Sequence, residues 1–142
     1  YQTNNGQISN SDGKAYAINL MADFDKLSLG VAYSTIDDEA SIVSGLGNGA
    51  DYLYTASWIY GGVYSADTDA YKLSTGYDIT TDLSFDVIYA SWKTADAPRA
   101  SETDFVTTYA FNKNLSTTFV LATYDKLADE SYRSRLYASY KF

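Results

Sequence analysis

The sequence predicts an all-β protein, an antiparallel transmembrane β-barrel, and three observations support this. Apolar and aromatic residues recur at every second position through most of the 142 residues, as they do along a strand with one apolar face. The alternating segments are about ten residues long, which is the length a tilted strand needs to cross the hydrocarbon of a membrane. Very short connections alternate with longer ones, which is typical of the turns and loops of outer-membrane barrels.

Seven segments carry the alternation. In chain order they are YAINLMADF (16–24), LSLGVAY (27–33), YKLSTGYDI (71–79), LSFDVIYASW (83–92), FVTTYAFN (105–112), LSTTFVLATY (115–124) and YRSRLYASYKF (132–142). In the first, Tyr, Ile, Leu, Ala and Phe alternate with Ala, Asn, Met and Asp. In the second, Leu, Leu, Val and Tyr alternate with Ser, Gly and Ala. The two residues between them, Asp25 and Lys26, predict a tight hairpin turn.

The next four segments repeat this division. The third alternates Tyr, Leu, Thr, Tyr and Ile with Lys, Ser, Gly and Asp, and a turn at 80–82 follows it. In the fourth, Leu, Phe, Val and Tyr alternate with Ser, Asp, Ile and Ala, and a loop containing Pro98 follows. The fifth and sixth are joined by a predicted turn at Lys113 and Asn114. Each segment therefore has one large apolar face and one small or polar face.

The closing segment ends on an aromatic residue, Phe142. Its alternate positions place Tyr132, Leu136, Ala138, Tyr140 and Phe142 on one face and Arg133, Arg135, Tyr137, Ser139 and Lys141 on the other. An aromatic carboxyl terminus with apolar residues at alternating positions behind it resembles the signal by which bacterial outer-membrane barrels are recognised for assembly. The residues at these places are Leu136, Ala138, Tyr140 and Phe142. We therefore expect the barrel-assembly machinery as a partner.

Alternation by itself indicates only that each strand is half-buried, so a soluble sheet and a membrane barrel both fit it. The segment lengths, the rhythm of the connections and the 15 Tyr residues favour the barrel, because Tyr is typical of the aromatic belts at membrane interfaces. We therefore expect the apolar face to contact outer-membrane lipid and the polar face to line a pore. The charged residues expected to line it are Asp78, Asp86, Asp104, Lys72, Arg133 and Arg135.

Composition excludes several classes of function. The net charge of -8 repels phosphate backbones, so nucleic acid is not an expected partner. With no Cys and no His, the chain cannot build a thiol nucleophile, a Ser-His-Asp triad or a His-ligated metal site. No loop offers a complete set of oxygen ligands for calcium, and no two carboxylates are singled out as an acid and base pair. We expect no enzymatic activity, no metal and no cofactor.

The connections predict topology. The short connections are assigned to the periplasm. The longer ones are assigned to the outside of the cell, and they lie at 36–68, 94–102 and 128–131. The chain is therefore predicted to be one barrel segment over 1–142 with a long extracellular loop at about 37–68. The stretch DYLYTASWIY at 51–60 alternates poorly; it is interpreted as part of that loop, with an eighth span as the alternative. Seven spans leave a barrel unclosed, so we expect a carboxyl-terminal part of a larger barrel.

The chain resembles the carboxyl-terminal portion of the major outer-membrane porin family of Campylobacter and related bacteria. The resemblance runs through FDKLSLGVAYSTID, GADYLYTASWIYGGVYSADTDAYKLSTGYDIT and SYRSRLYASYKF. It implies a large antiparallel barrel, a homotrimer, and passive diffusion of small hydrophilic solutes and ions. The amino-terminal majority of that family has no counterpart here, so we expect the loop that narrows the pore to lie outside these residues.

The predicted function is therefore ion transport and diffusion through an outer-membrane porin. Carboxylates outnumber basic residues in the predicted outer loops, so mild cation selectivity is expected. The glycines Gly30 and Gly76 are expected to leave room for water in the lumen. The alternatives are a small structural or adhesive barrel without a conducting pore, an outer-membrane hydrolase that would need a His from elsewhere, and a soluble ligand-binding barrel with its faces reversed.

Overall fold

The computed structural model describes residues 3–4, 7–8, 13–42, 53–59, 62–125 and 132–142. These residues form nine strands and one 3₁₀ turn, at Gly62–Tyr64. The strands are β1 (Thr3–Asn4), β2 (Gln7–Ile8), β3 (Ala15–Phe24), β4 (Leu27–Ile36), β5 (Thr68–Asp78), β6 (Leu83–Thr94), β7 (Ala100–Ala110), β8 (Leu115–Asp125) and β9 (Tyr132–Tyr140). β1 and β2 form a separate two-stranded ribbon. β3 to β9 form one antiparallel sheet in which each strand pairs with its neighbours in the sequence.

All seven predicted spans are strands of the large sheet. The hairpin between β3 and β4 is as tight as predicted, because Phe24 pairs with Leu27 and only two residues lie between them. The first of these, Asp25, has a φ of 50°, in the left-handed region that such short turns use. The predicted connection at 128–131 lies outside the described residues. We call the edge of the sheet with the turns at 25–26, 79–82 and 111–114 the turn end, and the opposite edge the loop end.

The stretch that was the alternative eighth span is not a strand where it is described, at 53–59. It belongs to the long connection between β4 and β5, as the sequence indicated. Within the described residues, no helix is long and apolar enough to cross a membrane.

The strand register separates two faces. On the first, which we call the outer face, large apolar side chains are exposed: Leu20 is 66% exposed and Phe119 is 44% exposed. Cross-strand pairing places such residues next to each other. Leu20 is opposite Val31, and Val31 is opposite Leu73. The other face, the inner face, carries mostly small, polar and charged residues, and larger apolar side chains such as Ile36 and Trp92 are buried at its loop end. A soluble sheet would cover its large apolar side chains, so this exposure contradicts the soluble alternative.

Exposed aromatic side chains border the outer face at both ends. At the turn end they are Phe24, Tyr77, Phe85, Tyr109, Phe111, Tyr140 and Phe142, and at the loop end Tyr16, Tyr33 and Tyr132. Two pairs at the turn end meet edge to face, with ring centroids 4.9 Å apart for Tyr109 and Phe111 and 5.1 Å apart for Tyr140 and Phe142. An apolar band between two aromatic belts is the outer surface of a transmembrane barrel.

Strand β7 is longer than predicted. The sequence placed its start at Phe105 and assigned Glu102 to a loop, whereas the strand begins at Ala100 and includes Glu102. Glu102 was assigned to the connection that contains Pro98, whereas Asp104 was already predicted to lie on the polar face of this strand. Both are buried on the inner face, because another part of the chain covers them.

Candidate functional site

The six residues predicted to line a pore share the inner face. The register places Lys72 opposite Ala90, which is opposite Glu102, and it places Asp86 in the same cross-strand row as Arg135. Asp104 lies opposite Ala122, which is opposite Arg133. Asp78 pairs with Ser84 near the turn end. The sheet thus brings all six to one surface, although a pore-lining role for them stays a prediction.

The loop end of the inner face is covered by the chain itself. The residues Leu53–Ile59, which we call the inward segment, fold back from the long connection between β4 and β5. Together with Val63 and Tyr64 they pack on inner-face residues of four strands. The buried apolar cluster consists of Ile36, Leu53, Ala56, Val63, Tyr64, Ala70, Ala90, Trp92 and Ala100. A pore-narrowing loop outside these residues stays a prediction, and within the described residues the inward segment covers part of the inner face.

Polar contacts fix the inward segment to β4 and β5. The hydroxyl oxygens of Ser34 and Thr55 lie 2.6 Å apart, and both residues are buried. The Lys72 ammonium donates to the carbonyl oxygen of Ala56 at 3.3 Å. These contacts satisfy polar groups that the segment takes out of water. Lys72 is therefore engaged with the segment, and its position on the inner face does not make it a free lumen charge.

Two carboxylates of β7 hold the far end of the inward segment. The backbone N–H of Trp58 donates to Asp104 Oδ2 at 3.1 Å, and the N–H of Ile59 donates to Glu102 Oε1 at 2.9 Å. Both carboxylate residues are 0% exposed. Asp104 was predicted to face the lumen. It is on the predicted face, but the inward segment separates it from open space.

The Trp58 side chain extends to the last strand. Its ring lies 5.8 Å from that of Tyr137, measured between centroids, at an interplanar angle of 51°. The Tyr137 hydroxyl also accepts a hydrogen bond from Arg135 Nη1 at 3.4 Å. The inward segment therefore contacts β4, β5, β7 and β9, and Trp58 remains 42% exposed on the inner side.

Towards the turn end the inner face is open. A recess of about 220 Å³ is lined there by carboxylates from three strands, Asp23, Asp78 and Asp86, together with smaller residues. Gly76 also lines this recess. A Cβ at this position would meet the Asp86 carboxylate and come within 2.6 Å of Ser28 Oγ. The expectation that the glycines leave room for water is wrong at this position, because the space beside Gly76 is filled by its neighbours' side chains.

No protein-family model matches the chain, and no curated protein sequence does. Among solved structures, the chain is similar to two porins of Pseudomonas aeruginosa. With OccK10 (OpdN) it shares 20% identity at a TM-score of 0.74, over 92% of this chain and 42% of that chain. With OccK5 (OpdH) it shares 17% identity at a TM-score of 0.73, over 92% of this chain and 40% of that chain.

These similarities establish the fold as part of an antiparallel porin-type barrel. The chain spans less than half the length of either porin. Membership of the Campylobacter porin family is not confirmed, and that resemblance stays a prediction.

Proposed function

We propose that this chain forms part of the wall of an outer-membrane porin in a Gram-negative bacterium. The porin is a passive diffusion channel for small hydrophilic solutes and ions, and it catalyses no reaction. The observation that carries the proposal is the division of one seven-stranded sheet into an exposed apolar face with aromatic belts and a polar inner face. Large barrels with this division enclose water. The structural similarity to two porins supports it.

Mild cation selectivity is part of the proposal. At the loop end the exposed carboxylates of the described residues are those of Asp38, Glu39, Asp67, Asp69, Asp96 and Asp125, and they outnumber the exposed basic residues Lys14, Lys93 and Arg99. The one basic side chain in the loop between β6 and β7, Arg99, lies over the Tyr71 ring on the outer face, 5.4 Å from its centroid. The entrance therefore carries negative charge, which concentrates cations within about 10 Å at 0.1 M salt.

The outer-membrane location implies further partners. Leu136 and Tyr140 of the last strand and Phe142 just beyond it are exposed, which supports their role as an assembly signal read by the barrel-assembly machinery. The sheet would be completed by other strands of the intact protein, and its outer face would contact lipid. A homotrimer is proposed from the resemblance to the Campylobacter porins.

The inward segment favours one competing function. A barrel whose inner face is filled by its own chain would be a structural or adhesive protein without a conducting pore. Liposome swelling with sugars of increasing size separates the two, using the intact protein. The porin account expects rapid swelling with small sugars and slower swelling with larger ones. No swelling with any sugar would favour the structural barrel.

The proposed cation selectivity is tested by a second measurement. In planar bilayers with a salt gradient, the intact protein should give a reversal potential of the sign expected for a cation-preferring channel. The potential should shrink at high salt, because screening shortens the range of the charges at the entrance. A reversal potential of the sign expected for an anion-preferring channel would contradict the proposed cation selectivity. It would not contradict the proposed channel function.

A further inference from the structure

Glu102 and Asp104 are an unusual feature of a channel wall. They lie at alternate positions of β7, so their side chains are neighbours on the inner face, and both are 0% exposed. Carboxylates that serve only to shape the field of a pore need contact with its water. Burying a carboxylate costs free energy unless hydrogen bonds replace the lost water. Their burial therefore calls for a structural reason.

The hydrogen bonds they accept supply that reason. The two donors are consecutive backbone N–H groups, those of Trp58 and Ile59, at 3.1 Å and 2.9 Å. A segment without regular secondary structure has no ladder partners for its amides, and buried amides need acceptors. The carboxylates thus supply acceptors for two consecutive backbone amides of the segment.

The two ends of the inward segment are held differently. Leu53 and Ala56 belong to the buried apolar cluster, and Thr55 contacts Ser34. Beyond Ala56, the backbone is held by the two carboxylates, and the Trp58 ring contacts only the partly exposed Tyr137 among the described aromatic rings. Loss of the carboxylates should therefore release the end that carries Trp58 and weaken the docking of the whole segment, because only the contacts of its base then remain.

We propose that Glu102 and Asp104 are positioning residues that hold the inward segment across the lumen and thereby set the open cross-section of the channel. This rests on the proposed porin function. The carboxylates act through the backbone of residues 58 and 59 and do not contact the solute. This role needs an acceptor oxygen and no charge, since an amide oxygen at the same place also accepts a hydrogen bond.

The test compares three double variants of the intact protein in single-channel recordings. E102A/D104A removes both acceptors, and its conductance should rise by about twofold or more, since conduction follows pore diameter. E102Q/D104N keeps an acceptor oxygen at each place and should retain the parental conductance. D78A/D86A removes two inner-face carboxylates that line the recess near the turn end, and it controls for the loss of charge.

A second readout does not depend on conduction. Cysteines at Ser34 and Thr55, whose oxygens are 2.6 Å apart, should form a disulfide when the segment is docked, and no other Cys occurs in this sequence. Disulfide formation should be slower in the E102A/D104A background and unchanged in the E102Q/D104N background. Should the double alanine variant fail to insert, E102A and D104A are compared singly by both readouts.

The outcomes separate the two proposals. Unchanged conductance in the alanine variants would overturn the role of the carboxylates in setting the cross-section, and so would an equal rise in D78A/D86A. Unchanged disulfide formation would overturn the docking role. If no variant conducts but disulfide formation still slows in E102A/D104A, the porin function fails while the docking role stands.

Discussion

Trp58 of the long connection between β4 and β5 packs against Tyr137 of the last strand, with ring centroids 5.8 Å apart. The contact joins the inward segment to β9, which lies four strands beyond β5 in the sheet. It lies on the inner face, where Arg135 also contacts Tyr137. In the proposed porin, the Trp58 and Tyr137 side chains lie across part of the lumen.

Replacing Trp58 with Ala should raise single-channel conductance, because it removes the largest side chain that the inward segment extends over the inner face. The backbone hydrogen bond to Asp104 does not need the indole and should persist. Tyr132→Ala is the matched control, since it removes an exposed aromatic ring from the outer face of β9. Equal conductance in the parent and in Trp58→Ala would show that this ring does not narrow the pore.

The assignment of faces can be tested on one strand with adjacent residues. Phe119→Arg should destabilise the inserted protein by about 2 to 4 kcal/mol, the cost of a lipid-facing Arg near the bilayer midplane. Thr118→Arg, on the inner face of the same strand, should cost much less because its charge can reach water. Urea unfolding of the inserted protein measures both. Similar losses at the two positions would argue against the outer face as the lipid face.

Arg133 and Arg135 are predicted to oppose the cation preference of the channel. Replacing both with Glu should increase that preference, measured as a larger reversal potential across a salt gradient. The double variant K93E/R99E makes the same charge change at exposed outer positions and should have a much smaller effect. A reversal potential that does not differ between these two variants would mean that the arginines do not face the permeation path.

Deletion of Phe142 should impair insertion without reducing synthesis, because the terminal aromatic is proposed to be read during assembly. Phe111→Ala removes another exposed aromatic ring at the turn end and should insert normally. Heat-modifiable mobility on gels reports the inserted barrel. Parental amounts of inserted protein after the deletion would remove Phe142 from the assembly signal.

Strands were predictable because their pattern is local. The alternation of Leu27, Leu29 and Val31 with small residues follows from the period of a strand facing lipid on one side, and the seven spans were found at nearly their observed positions. The two-residue turn at Asp25 and Lys26 was equally visible. Local pattern failed at the start of β7, where Glu102 lies close to the loop that contains Pro98 and was assigned to that loop instead of the strand.

The position of the inward segment over the inner face could not be predicted from local sequence pattern, because it depends on contacts between residues far apart in the sequence. One signal was present. The longest stretch without a formal charge, at 52–66, falls within a loop, and residues such as Leu53 and Val63 need burial. The partners of this stretch, including Ser34 and Tyr137, are set by the order of strands in the sheet, which the sequence of the loop does not contain.

Cysteine accessibility in a recorded channel tests the central claim most directly. Ser139 and Ala138 are adjacent on β9, on the inner and outer faces respectively, and no Cys occurs in this sequence. A charged thiol reagent applied during single-channel recording of the intact protein should change the current through Ser139→Cys in a discrete step and leave Ala138→Cys unaffected. Absence of any channel current, or equal changes at the two positions, would contradict an open pore lined by the inner face.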